Sequence, residues 1–187
     1  MEQLGRRERK KAQTRQALAD AALELFDARG YDQVSVKDVA DAADVSVTTL
    51  FKYFPSKEAL VLDQDEDVEA ALVASVRERG DRPIPQALCE HLRQRLAVHP
   101  VTAQMTAFGR VIERTPALQE YVSRMWLRHE TALAQAIAAE AGVEPDDIRC
   151  AALARFGLEA LQLARRYPDP AAMIDPIFDL LENGWPA

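Results

Sequence analysis

Residues 45 to 60 read VSVTTLFKYFPSKEAL, and this stretch predicts a helix of about eight residues with a definite start and stop. Ser46 has the side-chain oxygen that accepts from the free N–H groups of a first helical turn. Pro55 ends the helix, because its ring disfavours helical geometry at Phe54 and removes a donor. On a helical wheel Val47, Leu50 and Phe54 fall within about 60° of one another and form the side able to pack inward. Thr48, Thr49 and Lys52 face away.

The residues just before use the same grammar. In VSVKDVADAAD, residues 34 to 44, Ser35 is an N-cap, Asp38 completes a variant capping box, and Val34 with Val39 has hydrophobic-staple spacing. Val45 and Leu50 repeat that staple for the next helix. Two helix starts eleven residues apart leave about seven residues for the earlier helix and a turn of three or four, the spacing of a helix-turn-helix. Ala40 and Ala43 give that helix a small-residue side for close approach of a neighbour.

Outward from this pair, apolar residues recur at helical spacing nearly throughout, with seven glycines and no strand-like alternation. The expectation is an all-α protein of about nine helices. The first runs from about Arg9 to Arg29, with Leu18, Ala21, Ala22, Leu25 and Phe26 on one stripe, Gly30 as its stop and Tyr31 folding back. Ser56 and Glu58 begin a long fourth helix, from Lys57 to Gly80, and DRPIP at 81 to 85 is a linker-like break. Further helices are expected near 85–98, 101–113, 116–141, 145–166 and 170–183, divided by His99-Pro100, Thr115-Pro116, Gly142 with Pro145, and Pro168 with Pro170.

The net charge of −7 is unevenly spread. Residues 6 to 15 hold six cations (Arg6, Arg7, Arg9, Lys10, Lys11, Arg15) against Glu8, a local +5 that leaves −12 elsewhere. Asp63, Asp65, Glu66, Asp67 and Glu69 read as a solvated acidic face without the ligand pattern of a cation loop. Cys89 and Cys150 sit in apolar helical patterns and read as reduced thiols. The opening MEQLGRRERKKAQTR carries charge where a signal peptide is apolar, and no run approaches a membrane span, so the expected location is cytoplasmic. His91, His99 and His129 form no HExxH pair, and G-x-S-x-G, P-loop and dinucleotide fingerprints are absent. No catalytic residue, metal or cofactor is expected.

A tight helix pair suits the laying of a helix N-terminus in the major groove. Ser46, Thr49 and Tyr53 carry hydroxyls able to donate to phosphate, the helix N-terminus favours an anion, and the basic arm with Lys37, Lys52 and Lys57 supplies counterion-release affinity. Double-stranded DNA is therefore the expected partner.

From Thr14 to Leu60, above all in Val36-Lys37-Asp38-Val39-Ala40, Val45-Ser46 and Thr49 to Leu60, the chain resembles the N-terminal domain of TetR-type transcriptional regulators. The resemblance implies a homodimer on a palindromic operator, usually a repressor released by a small molecule. It implies a division into a DNA-binding domain, 1–58, and a helical ligand-binding and dimerisation domain, 59–187. It places Val47, Thr48 and Lys52 at base-facing positions, although the wheel turns Val47 inward. Ser35, Thr49, Tyr53 and Lys57 match phosphate-contacting positions, joined by Ser46 on its chemistry, and Thr14 lies near the backbone. Two residues depart from the pattern: Asp44 stands where glycine is common, tolerable because aspartate accepts left-handed geometry, and Phe51 replaces a common tyrosine and cannot donate to phosphate.

In the later helices, Met105, Phe108, Tyr121, Met125, Trp126, His129 and Phe156 are the candidates for a partly apolar effector pocket, with plain core packing as the rival reading. Small residues on the helix at 145–166 and apolar ones on 170–183 resemble the family's dimer face: Cys150, Ala154, Gly157, Leu161, Ile177, Phe178 and Leu181 are its candidates, with an intramolecular core as rival. The expected function is that of a ligand-responsive repressor. An activator or helical adaptor of the same fold is the alternative, and a helical enzyme a remoter one.

Overall fold

A computed structural model describes residues 5–62, 65–98 and 103–185, with side chains from 67 and from 105 in the second and third segments. Asp63, His99 and Pro100, and the side chains of Asp65 and Glu66, lie outside the described residues. Among these residues there are nine α-helices and no strand: α1 (Arg6–Arg29), α2 (Val36–Ala42), α3 (Val47–Tyr53), α4 (Asp65–Arg77), α5 (Ile84–Val98), α6 (Ala103–Arg114), α7 (Pro116–Ala141), α8 (Ile148–Ala164) and α9 (Ile174–Asn183). The all-α expectation holds. Short 3₁₀ turns lie at Tyr31–Gln33, Glu58–Leu60 and Ala171–Met173.

The fourth helix differs from its expectation. Ser56 does cap, its Oγ accepting from the Ala59 N–H at 3.2 Å, but it caps the 3₁₀ turn Glu58–Leu60, and α4 starts only at Asp65. Ala59, Leu60 and Val61 are all buried in one core, so packing within the first unit overrides the local helix signal here.

The chain forms two compact units, one of residues 1–65 and 102–122, the other of 66–101 and 123–187. A division at residue 58 separates segments by expected role, whereas packing groups α6 and the first turns of α7 with α1 to α3. The first core contains Leu18 and Phe26 of α1, Val39 of α2, Leu50 of α3, and Phe54, with Val111 of α6 and Leu118 of α7. Each such side chain contributes about 1.5–3 kcal/mol by leaving water.

The turn between α2 and α3 is built by its backbone. Val45 N–H donates to Ala40 C=O at 2.9 Å and Asp44 N–H to Asp41 C=O at 3.2 Å, the paired bonds of a Schellman ending. Asp44 stands in the left-handed region with φ 53°, as expected of the residue that replaces glycine there.

In the second unit, α5, α8 and α9 share a core of Leu88, Leu92 and Leu96 with Ala154, Leu158, Leu161, Ile174 and Phe178. Gly157 is the point of closest approach: a Cβ there would lie 2.7 Å from Leu88 Cδ2. No helix among the described residues is long and apolar enough to cross a membrane.

Candidate nucleic-acid interface

Both caps of the helix pair form. Ser35 Oγ accepts from the Asp38 N–H at 3.1 Å while the Asp38 carboxylate accepts from the Ser35 N–H at 2.8 Å. The carboxyl of Asp38 is held below its usual range, chiefly by the Ser35 hydroxyl and then by the Ser35 N–H. Ser46 Oγ accepts from the Thr49 N–H at 3.1 Å and lies 2.8 Å from Thr49 Oγ1. These bonds fix where α3 begins, and hence which side chains its first turn presents.

Around α3 the wheel is reproduced except at Thr49, which is half-buried. Leu50 and Phe54 are wholly buried. Thr48 and Lys52 are exposed, and Val47 is half-buried and packed on the first core. The valine therefore divides its surface between core and solvent. Tyr53 is also half-buried on that core, and Phe51 is 46% exposed on the same helix.

Four of the hydroxyls expected at phosphates, those of Thr14, Ser35, Ser46 and Thr49, already have partners. Thr14 Oγ1 donates to the Lys10 carbonyl at 2.9 Å, Ser35 Oγ donates to the Asp38 carboxylate, and Ser46 and Thr49 bond each other. Lys37 is exposed and paired with Asp41 one turn on. Lys57 departs most from expectation: its Nζ donates to the Tyr31 carbonyl at 2.6 Å and lies 4.0 Å from the Tyr31 ring centroid and 5.7 Å from that of Phe26. Its ammonium is turned into the fold, and burial lowers its pKa. Lys52 presents its charge outward instead.

The basic arm is helical. Arg6, Arg7, Arg9, Lys10 and Lys11 are exposed on α1, which begins at Arg6 and not at Arg9. Arg15 is half-buried, with its guanidinium 5.0 Å from the Phe54 ring centroid, so a cation–π contact ties α1 to the residue that ends α3. Sequence periodicity gave no sign of this contact, because its partners are far apart in the chain.

The effector candidates are not gathered into a described cavity. Met105, Phe108 and Tyr121 belong to the first unit, and Met125, Trp126, His129 and Phe156 to the second. His129 is buried, edge-on to Trp126 at 5.5 Å between ring centroids. Phe156 is 51% exposed on α8. Of the two described clefts, one of about 440 Å³ is lined by α5 and α9 residues including Cys89, Arg93 and Asp175. The other, about 240 Å³, is lined by Phe26, Tyr31, Val111 and Thr115 among others. The Cys89 thiol is pushed up to about 11 by burial and by the Asp175 carboxylate, which leaves it protonated.

The dimer candidates need correction. Cys150, Ala154, Gly157, Leu161 and Phe178 are buried in the chain's own core, and Ile177 packs against it. Small residues on α8 serve the close approach of α5, which is the intramolecular reading. Leu181 alone of the seven is exposed. The apolar side chains that α8 and α9 leave exposed are Ile148, Phe156, Leu163, Leu180 and Leu181.

Residues 18–63 match the family model described as bacterial regulatory proteins, tetR family. The chain is 35% identical over 151 residues to the HTH-type transcriptional regulator TcmR of Streptomyces glaucescens, covering 76% of this chain and 67% of that protein. It is 31% identical over 113 residues to the HTH-type transcriptional repressor KstR of Rhodococcus jostii, covering 60% of this chain and 47% of that one. In fold it is similar to the transcriptional regulator FadR of Bacillus subtilis, solved in complex with stearoyl-CoA, with a TM-score of 0.55, 16% identity, and coverage of 91% and 99% of the two chains.

Proposed function

The chain belongs to the TetR family of bacterial transcriptional regulators, and from that premise we propose that it is a homodimeric repressor released from a palindromic operator by a small, partly apolar ligand. Its relatives are regulators of transcription and not enzymes, KstR being a named repressor. The observation that carries the DNA-binding part is α3 itself: capped by Ser46, buried through Leu50, and presenting Thr48 and Lys52 to solvent. Those two, with the exposed edge of Val47, are the base readers. The hydroxyls of Thr14, Ser35, Ser46, Thr49 and Tyr53 with the α1 cations are the phosphate contacts, and Lys57 positions them from behind.

Residues 1–58 act as the DNA-binding segment, and 59–187 as the segment for ligand and partner, in the cytoplasm. For dimerisation the exposed apolar set Ile148, Phe156, Leu163, Leu180 and Leu181 replaces the buried candidates. FadR's complex with stearoyl-CoA supports a ligand with an apolar part, for which Met125, Trp126 and His129 of the second unit are the candidate contacts. Release follows from differential affinity: ligand favours a dimer whose two reading helices no longer match successive major grooves, about 34–36 Å apart.

Selection of bound fragments from the source organism's DNA, followed by titration of the recovered operator at fixed salt, tests this reading. One symmetric site per two chains, with affinity lost on adding ligand, is the expected result. An operator affinity indifferent to every ligand tried would remove the ligand-release part.

A further inference from the structure

Among the eleven arginines of the second unit, six set out a contrast. Arg79, Arg82, Arg93 and Arg155 each face a carboxylate, of Glu140, Glu90, Asp175 and Glu130 respectively. Arg95 on α5 and Arg165, just past the end of α8, have none among the described residues. Both are half-buried. Among the described residues the Nε of each is closed to solvent and without a hydrogen-bond partner, as are Nε of Arg79, which keeps its carboxylate through Nη2, and Nε2 of His91, one turn before Arg95 on α5.

The packing of α5 on α8 brings these groups together. Leu88 lies beneath Gly157, Leu92 and Leu96 share a core with Leu161 and Ala164, and two turns beyond the Leu88–Gly157 contact stand Arg95 and Arg165. Burial lowers the pKa of all three side chains, and the charge of Arg95 lowers those of His91 and Arg165 further. Like charges drawn partly out of water with no counter-ion are costly. Both arginines lie at helix C-termini, where the macrodipole favours a cation, but that support does not remove their mutual repulsion or supply the missing acceptors.

We propose that His91, Arg95 and Arg165 form a seat for the anionic group of a small ligand, a carboxylate or a phosphate monoester, at the α5–α8 contact. Two guanidinium forks match the planar, multiply accepting oxygens of either group, and their half-exposed ends leave it a way in. A neutral His91 adds one N–H donor. The ligand's role in releasing DNA rests on the reading under Proposed function, whereas the seat itself does not.

The test is thermal unfolding of the full chain without DNA, in inorganic phosphate or sodium octanoate, with ionic strength held constant by chloride. At about 10 mM of the fitting anion the wild type should unfold about 3 °C higher, an exposed-site control Arg166→Gln should follow it, and Arg95→Gln/Arg165→Gln should not respond. Arg95→Lys should retain part of the response. Without anion the double variant should unfold no lower than wild type, since it loses an uncompensated repulsion. Response to octanoate alone assigns a carboxylate on an apolar tail, and to phosphate alone a phosphate ester. An equal response in the double variant, no response of the wild type to either anion, or a double variant much less stable without anion would each overturn the seat. The operator titration separates the two readings: a ligand that releases wild type and double variant equally, with neither stabilised by anion, retains release and sinks the seat, while anion stabilisation confined to wild type, with no ligand affecting the operator, retains the seat and sinks release.

Discussion

The ammonium of Lys57 is held by one residue twice, by the carbonyl of Tyr31 at 2.6 Å and by its ring at 4.0 Å. A side chain so engaged locks the segment after α3 onto the segment after α1. Lys57→Met is therefore expected to cost about 1 kcal/mol of stability, the sum of a modest hydrogen bond and a cation–π contact, while leaving the salt slope of operator binding as in wild type. Denaturant unfolding and affinity at several salt concentrations check it. A slope shallower by one charge with unchanged stability would return Lys57 to the phosphates.

Lys52→Ala is expected to do the reverse. The side chain is exposed on α3, so stability should hold within about 0.5 kcal/mol, while operator affinity falls about tenfold and the preference at one or two base pairs relaxes. Affinities for operators varied at single positions measure this. A uniform loss on every sequence would make Lys52 a phosphate contact.

Asp44→Gly should stabilise the protein by less than about 1 kcal/mol, because the left-handed conformation at φ 53° strains any side chain, while glycine gives back part of the gain as unfolded-chain entropy. Asp44→Val should destabilise it by more than that. Melting temperatures of the two variants, compared with wild type, should fall on opposite sides.

Gly157→Ala should cost about 1–3 kcal/mol, since the added methyl meets Leu88 at 2.7 Å inside a filled core. The loss should be independent of protein concentration, as befits an intrachain contact, and a second change, Leu88→Ala, should recover part of it. A loss that vanished on dilution would instead place Gly157 between protomers.

Stability should also depend on pH through Asp38. Its carboxyl is held below the usual range in the folded chain, so its contribution is complete above the unfolded value of about 3.9 and is lost as pH falls through the lower folded one. The difference in stability between wild type and Asp38→Asn should thus be largest near neutrality and narrow towards pH 2. A constant difference across that range would show that the cap does not depend on ionisation.

What could be read from the sequence was local. Ser35, Ser46 and Pro55 set the ends of α2 and α3 because caps and proline act within a turn, and the Asp44 conformation was implied by the resemblance, which has glycine at that turn. The direction of Lys57 could not be read, since its acceptor lies 26 residues away. Nor could the burial of α8: alanine, glycine and cysteine permit close approach by any helix, and only the structure shows that α5 takes that place. Arg95 and Arg165 are ordinary surface arginines in the linear pattern. Their lack of carboxylates becomes visible only when α5 and α8 meet.

The first unit is discontinuous, and this bears on how the protein comes off the ribosome. Val111 and Leu118 sit in the same core as Phe26 and Leu50, so a nascent chain that has emerged only to residue 65 has α1, α2 and α3 but not the lid of their core. The reading helix would wait, incompletely packed, until about another 55 residues had appeared, roughly 3–11 s at ordinary rates of synthesis. An emerging chain would therefore gain its grip on DNA late, after α4, α5 and α6 had all been made.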